Sequence, residues 1–319
     1  MGLYPSIAKS HPLELPMPIH LPPINRRRFL SGTLAAGASM FLPRHLLADQ
    51  PADPNHFVLL ADTHICDHRD TELRGVKPVV AFEQLGKEII AASPRAAGAI
   101  VAGDCAFLEG KPADYAMIDA LVRPLRRAGL PMHFTLGNHD HRDNFMAAFP
   151  DATWPSADPL PPNKLVSMLE TPHANWFLLD SLDRTNVTPG LLGQAQLTWL
   201  ARALDARPSK PALVVAHHNP QSTAAQVTLV DTQAFFDVLL PRKQVKAYFF
   251  GHTHRWQPSQ HEGLHLVNLP AVAWLFDPTQ PRGFVAAQLH PTGVDLELNA
   301  LDPQHPKHGE KIALTWRAA

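Results

Sequence analysis

Apolar residues recur along this chain in two rhythms. Short unbroken runs at Phe57–Ala61, Ala99–Ala102, Ala212–Ala216 and Ala247–Phe250 have the length and continuity of strands covered on both faces, and Pro131–Leu136, interrupted by His133 and Thr135, reads as another such strand. Between them the spacing turns helical. Val79, Phe82, Leu85 and Ile89 predict a helix over Pro78–Ala92, with proline in the first turn, where its missing N–H is tolerated. A second helix is expected over Ala113–Ala128, stopped at Gly129 and bent or broken at Pro124. Gln194–Ala206 and Asp231–Leu240 read as further helices. Leu165–Leu169, Trp176–Asp180, Leu264–Asn268, Gly283–Leu289 and Val294–Leu298 read as strands. In the last of these, Val294, Leu296 and Leu298 alternate with Asp295 and Glu297, the pattern of a strand with one wet face. The proline-rich stretch 150–163 predicts a loop over the site, and 302–312 a polar tail. Strands alternating with helices imply parallel pairing through crossover helices. The expected architecture is an α/β fold, two packed sheets with helices outside, in one domain over 49–319.

Residues 1–48 follow neither rhythm. Segment 1–25 is dotted with prolines and predicts disorder. Arg26-Arg27-Arg28-Phe29-Leu30 then precedes a weakly apolar stretch, Ser31–Leu42, and a small residue, Ala48, at a plausible cleavage point. A basic region, a short apolar region and a cleavage site make up a secretory signal, and two arginines before x-Phe-Leu resemble the twin-arginine type. The expectation is export to the periplasm or beyond by that machinery, which carries folded proteins and so permits metal loading beforehand. Met17 is an alternative start. No apolar run reaches the roughly 18 residues of a membrane span.

Composition narrows the partners. Hydrophobic residues make up 45% of the 319 and charged residues 18%, a globular composition. Lys and Arg number 28 against 29 Asp and Glu; residues 1–48 hold five of the bases and one of the acids, so the remainder carries 23 bases and 28 acids. An acidic body is a poor match for nonspecific nucleic-acid or anionic-membrane binding, and a small-molecule substrate is expected instead. Two cysteines, Cys66 and Cys105, make neither a disulfide scaffold nor a thiolate zinc module. Nothing in the chain specifies an oligomeric state.

The 19 histidines carry the chemistry. Each of the five buried strands is followed by a polar cluster: Asp62-Thr63-His64, Gly103-Asp104, Gly137-Asn138-His139-Asp140, His217-His218-Asn219-Pro220 and Gly251-His252-Thr253-His254. Ligand sites in open α/β sheets lie beyond the carboxyl ends of the strands. Asp and neutral His are ligands for zinc, iron and manganese. The i, i+2 pairs Asp62/His64 and His252/His254 would share one side of an extended segment, and Gly103, Gly137 and Gly251 permit close approach before a ligand. Seven candidates, Asp62, His64, Asp104, Asn138, His217, His252 and His254, suit two ions bridged by one carboxylate. Alternation would point His218 away from that centre, and it, His68 and Arg142 stand as substrate contacts. Most other histidines are assigned to surface or core. Trp256 and Trp274 are assigned to the core or to the rim of a cleft.

The ordered set D-x-H…GD…GNHD…H…GHxH, spanning Asp62 to His254, resembles the calcineurin-like metallophosphoesterase superfamily. The resemblance implies a four-layer double β-sandwich flanked by helices. It implies that Asp62, His64 and His254 hold one metal, Asn138, His217 and His252 the other, and that Asp104 bridges them, with Fe, Zn or Mn as the ions. His139 would stabilise or protonate the leaving group and Asp140 would orient it, while metal-activated hydroxide cleaves a phosphoric ester. Phe107 stands where purple acid phosphatases carry a tyrosine ligand, which disfavours that subfamily. His217-His218-Asn219-Pro220 resembles the HHPP-type segment of the phosphodiesterase-like branch, with Asn219 for the first proline. A phosphodiesterase is therefore expected, with a phosphomonoesterase as the alternative, and a nuclease or a noncatalytic metal-binding protein behind them.

Overall fold

A computed structural model describes residues 20–21, 51–149, 160–220 and 228–318. The export signal and most of the proline-rich loop lie outside the described residues. In segment 1–25, expected to be disordered, His20–Leu21 forms a two-residue strand, β1.

The described strands after it are β2 (Asp53–Leu60), β3 (Ala96–Ala102), β4 (Met132–Thr135), β5 (Ser167–Glu170), β6 (Asn175–Leu178), β7 (Ala212–Val215), β8 (Val245–Phe250), β9 (Gln257–His261), β10 (Leu264–Asn268), β11 (Gly283–His290), β12 (Gly293–Ala300) and β13 (Lys311–Thr315). The described helices are α1 (Pro78–Ala92), α2 (Pro112–Arg127), α3 (Arg142–Ala148), α4 (Gln194–Asp205) and α5 (Thr232–Leu239). One sheet runs β1-β4-β3-β2-β11-β12-β13 and the other β5-β6-β7-β8-β10-β9. Both are mixed. β2, β3 and β4 are mutually parallel neighbours, as are β6, β7, β8 and β10, and antiparallel strands complete the edges.

The pleat of β2 shows how the layers assemble. Phe57, Leu59 and Ala61 join the cluster between the sheets, with Trp176, Leu213, Phe249, Val267 and Leu296. Val58 and Leu60 point the other way, into the cluster that takes Phe82, Leu85, Ile118 and Leu125 from α1 and α2. Leu197, Leu200, Phe235 and Leu239 of α4 and α5 cover the outer face of the second sheet through a third cluster. The result is helix, sheet, sheet, helix. Strands buried on both faces are the reason their sequences read as continuous apolar runs.

Several elements depart from expectation. α2 runs unbroken through Pro124. Pro124 and Ala120, whose carbonyl loses its partner, both lie on the exposed side, where water can satisfy the carbonyl. The helix does stop at Gly129, where the Leu130 and Gly129 N–H groups bond the carbonyls of Leu125 and Arg126, each at 3.1 Å. β9, β13 and the short α3 have no counterpart among the elements the sequence pattern predicts. β9 reads Gln-Pro-Ser-Gln-His and is largely exposed; its pairing comes from the hairpin closed by Glu262 and Gly263, at φ +48° and +76°. β13 continues as a strand from what reads as a polar tail, because β12 offers it an open edge.

Candidate metal centre

The five polar clusters all follow carboxyl ends of parallel strands: β2, β3 and β4 in one sheet, β7 and β8 in the other. The two sheets meet there. Asp62 N–H donates to the Gly103 carbonyl (3.1 Å), Gly251 N–H to the His217 carbonyl (3.0 Å), and His217 Nδ1–H to the Ala102 carbonyl across the sheets (2.9 Å). Backbones pack so closely that a Cβ on Gly251 would sit 2.5 Å from Asp62 Oδ2, and one on Gly103 2.5 Å from the His217 Cβ. A Cβ on Gly137 would collide with the Asp104 carboxylate.

The ligand pairs are not aligned by an extended backbone. Asp62, His64, Asp104, His252 and His254 have φ of +53°, +44°, +47°, +70° and +54°, half of the ten described non-glycine residues in the left-handed region. Tight turns therefore aim these side chains: the i, i+2 pair Asp62/His64 does share one cluster, and the pair His252/His254 does not. His254 turns toward Asp62 and His64, whereas His252 turns toward His217. Such backbone strain gathers where a site requires it.

Two acceptor clusters result. In one, His64 Nε2 lies 3.2 Å from His254 Nε2, which lies 3.3 Å from Asp62 Oδ1. In the other, His217 Nε2 lies 3.1 Å from His252 Nδ1. Asp104 joins them: its Oδ2 is 3.2 Å from His217 Nε2 and 3.7 Å from His64 Nε2, while its Oδ1 accepts the His139 N–H at 2.9 Å. Ligand-type atoms of Asp62, His64 and His254, and of Asp62, Asp104 and His217, lie within 4.8 Å of one another.

Protonation follows from the outer partners. Carbonyls only accept, so His217 donates from Nδ1 to Ala102 and His254 from Nδ1 to Trp274 (2.6 Å). In the neutral rings both Nε2 lone pairs then face the centre, the arrangement that metal-bound imidazoles show. Asn138 Oδ1 is buried without a hydrogen-bond partner among the described residues. Two buried carboxylates, facing ring nitrogens and an orphaned amide oxygen leave a deficit of positive charge that two cations fit.

The pKa directions tell the same story. Burial opposes ionisation of Asp104, but the imidazoles of His217, His64 and His139 outweigh it and hold the carboxyl well below the usual range. Burial also works against charging His217; Asp104 and Asp62 win, and its pKa rises to about 9. His64, fully buried, is pushed down to about 3.

The remaining candidates are placed differently. His139 donates Nδ1–H to the Leu108 carbonyl at 2.7 Å. The Asp140 carboxylate is engaged elsewhere. It accepts N–H groups from Gly137, Cys105 and Ala106 (2.9–3.1 Å) and the Tyr115 hydroxyl (3.1 Å), tying the turn after β3 to the turn after β4. Burial first, then the Asp104 charge, lift its pKa to about 6. His218 does not point away. It is buried, with its ring 4.7 Å from that of His252, its Nε2–H on the Thr188 carbonyl (2.9 Å) and its Nδ1 against the Ser181 hydroxyl (2.8 Å). With both nitrogens engaged it braces its neighbours. The bend of the backbone after β7 defeats the alternation rule there. Arg142 is held by Asp180 (2.6 and 3.0 Å) and the Leu182 carbonyl. It lines a cavity of about 860 Å³ with Met146, Lys164 and Arg184, which none of the seven ligand candidates lines. The His68 side chain is 81% exposed and belongs to neither cluster. Trp256 is core, whereas Trp274 stacks on His64 with ring centroids 4.1 Å apart.

Ser181 escaped sequence reasoning. Its hydroxyl faces the backbone N–H groups of both His217 and His218 (3.2 and 3.3 Å). The available signal was positional: Asp180-Ser181 follows β6 as the other polar clusters follow their strands.

Known proteins resemble this chain in sequence and in fold. The family model for calcineurin-like phosphoesterases matches residues 56–256. A 3′,5′-cyclic adenosine monophosphate phosphodiesterase from Haemophilus influenzae is 28% identical over 245 residues, covering 76% of this chain and 84% of its own. The corresponding protein from Vibrio vulnificus is 26% identical over 223 residues, covering 69% and 77%. Among solved structures, a dimetal phosphatase from Danio rerio superimposes with a TM-score of 0.65 at 16% identity, covering 83% of this chain and all of that one; at that identity the likeness speaks for the fold. The chain belongs to the calcineurin-like phosphoesterase family and is a metal-dependent phosphoester hydrolase.

Proposed function

We propose that this enzyme is a phosphodiesterase acting on a small molecule, with a cyclic nucleotide as the leading substrate class. The carrying observation is Asp104: one carboxylate oxygen shared by two clusters of acceptor atoms, with His139 beside it. Relatives named as cyclic AMP phosphodiesterases support the diester over the monoester.

Asp62, His64 and His254 would hold one cation, Asn138, His217 and His252 the second, and Asp104 would serve both. Bound there, two cations would supply Lewis acidity toward a phosphoryl oxygen and lower the pKa of water. The donor set of imidazole, carboxylate and amide suits Fe, Zn or Mn. The chain's own contribution is placement and proton control. The Leu108 carbonyl holds the His139 Nδ1–H, so that Nε2, when the ring is the imidazolium, can deliver its proton to the departing alkoxide and leave the neutral Nδ1–H tautomer behind. The Asp140 carboxylate holds the turns carrying Asp104 and Asn138 in register, and the Asn186 N–H grips the Asn138 carbonyl at 2.6 Å. Trp274 presses on His64 and its carbonyl orients His254.

The test is hydrolysis of 3′,5′-cyclic AMP and bis-p-nitrophenyl phosphate against p-nitrophenyl phosphate, using protein stripped of metal and reloaded. Faster diester cleavage that disappears on stripping is expected; faster monoester cleavage would make the enzyme a phosphatase. The twin-arginine segment supports export, so N-terminal sequencing of exported protein should begin near residue 49. An intact N-terminus on the exported protein would reject cleavage there.

A further inference from the structure

The metal centre is polar, yet its surroundings expose apolar surface. Phe276 is 55% exposed and Leu108 38%, two of only four large apolar residues left exposed among those described. Both touch the machinery: the Phe276 ring centroid lies 4.4 Å from that of His254, and the Leu108 carbonyl holds His139. Arg74 extends over the Phe276 ring at 5.1 Å and has no carboxylate partner among the described residues. Its backbone, at φ +51°, sits in a turn closed by reciprocal bonds between Leu73 and Val76 (2.9 and 3.0 Å). On the other side, the Asp277 carboxylate accepts the Thr279 N–H and hydroxyl (3.0 and 2.7 Å), so the loop presenting Phe276 is internally braced. A half-exposed aromatic ring with a guanidinium over it, held in place beside a phosphoryl centre, offers apolar surface that a bound planar group would remove from water.

We propose that Phe276 and Arg74 form the subsite for the organic half of the substrate, and that this subsite selects a planar aromatic group such as a nucleobase. The inference rests on the phosphoesterase reading of the adjacent centre. A nucleobase gains stacking and guanidinium contacts from this pair, whereas an aliphatic alcohol gains neither. Phe276 and Arg74 act on binding of the ester and leave the proton and the cations to the residues already described.

The experiment uses the full chain loaded with Mn²⁺. Calorimetry compares the binding of adenosine 5′-monophosphate with that of inorganic phosphate in wild type, Phe276→Ala, Phe276→Tyr and Arg74→Ala. Wild type should prefer the nucleotide by about tenfold or more. Phe276→Ala should erase most of that preference with phosphate binding changed by less than about twofold, Phe276→Tyr should retain it, and Arg74→Ala should reduce it. In parallel, Phe276→Ala should raise KM for bis-p-nitrophenyl phosphate by a larger factor than it lowers kcat. Equal binding of nucleotide and phosphate by wild type overturns the proposal. So does a Phe276→Ala protein that keeps the preference, or one that loses phosphate affinity in equal measure, which would make the ring a support for His254. A wild type that binds nucleotide selectively but cleaves no phosphodiester would sink the functional reading and leave the subsite standing.

Discussion

The two halves of the metal centre are built from the same chemistry but enclosed differently. Asp62, His64 and His254 are themselves at most 2% exposed, and the wall is aromatic: Trp274 stacked on His64 and close to His254, with the exposed Phe276 outside against His254. Around Asn138, His217 and His252 the wall is polar. His218, Ser181 and the Thr188 carbonyl form a hydrogen-bonded chain behind the ligands, and His252 is only half-buried. Apolar enclosure excludes water and strengthens every electrostatic interaction inside. A polar wall fixes ring orientation and leaves solvent nearer. The first half is thus expected to hold its cation more firmly, and the second to exchange more readily.

Removing the residue common to both halves should erase the difference altogether. Asp104→Ala is expected to lose both cations, as read by elemental analysis, together with all metal-dependent hydrolysis. His139→Ala should leave the two halves as they are: both cations retained, with kcat lower by roughly 10²–10⁴-fold. Retention of wild-type turnover in that variant would remove His139 from the proton-transfer role. The walls can then be tested separately. His218→Ala should weaken one cation of the two by about 10–100-fold in a loading titration and spare the other; equal weakening of both would show that the halves are not independent.

The smallest effect is one of pH. His217 in the metal-free protein holds its proton up to about pH 9, because Asp104 and Asp62 outweigh burial. Its folded pKa is raised, so the imidazolium is present at pH 7 and must give up its proton before Nε2 can take a cation. Apparent affinity should therefore fall as pH drops below about 9, by at most about tenfold per unit from this group. His254 is raised in the same direction by Asp62. Calorimetry in buffers of different ionisation enthalpy should show proton release on loading, and release of none at pH 7 would contradict the charge state of His217.

Much of this centre was readable in one dimension. Asp62, Asp104, Asn138, His217 and His252 each follow a buried strand closely, and a strand buried on both faces announces itself as an apolar run. The convergence of Asp62, His64, Asp104, His217, His252 and His254 was legible because parallel strands send all their carboxyl ends to one edge. The helix stop at Gly129 was legible for a similar reason, since a local backbone requirement selects the residue. Edge strands were less so. β9 and β13 are polar enough to pass for loop, and only the open edges of β10 and β12 make them strands.

What the residue order by itself determined is the list of groups and the strand ends that deliver them, because both depend on patterns a few residues long. The tertiary structure decided how those groups are used. Left-handed turns divide His252 from His254, Asp140 serves two backbone turns in place of the His139 ring, Arg142 is claimed by Asp180, and carbonyls of Ala102 and Trp274 set the protons on His217 and His254. Each of these is a contact between segments far apart along the chain, made by backbone atoms or by side chains with several possible partners, and only packing of the two sheets against each other selects among them.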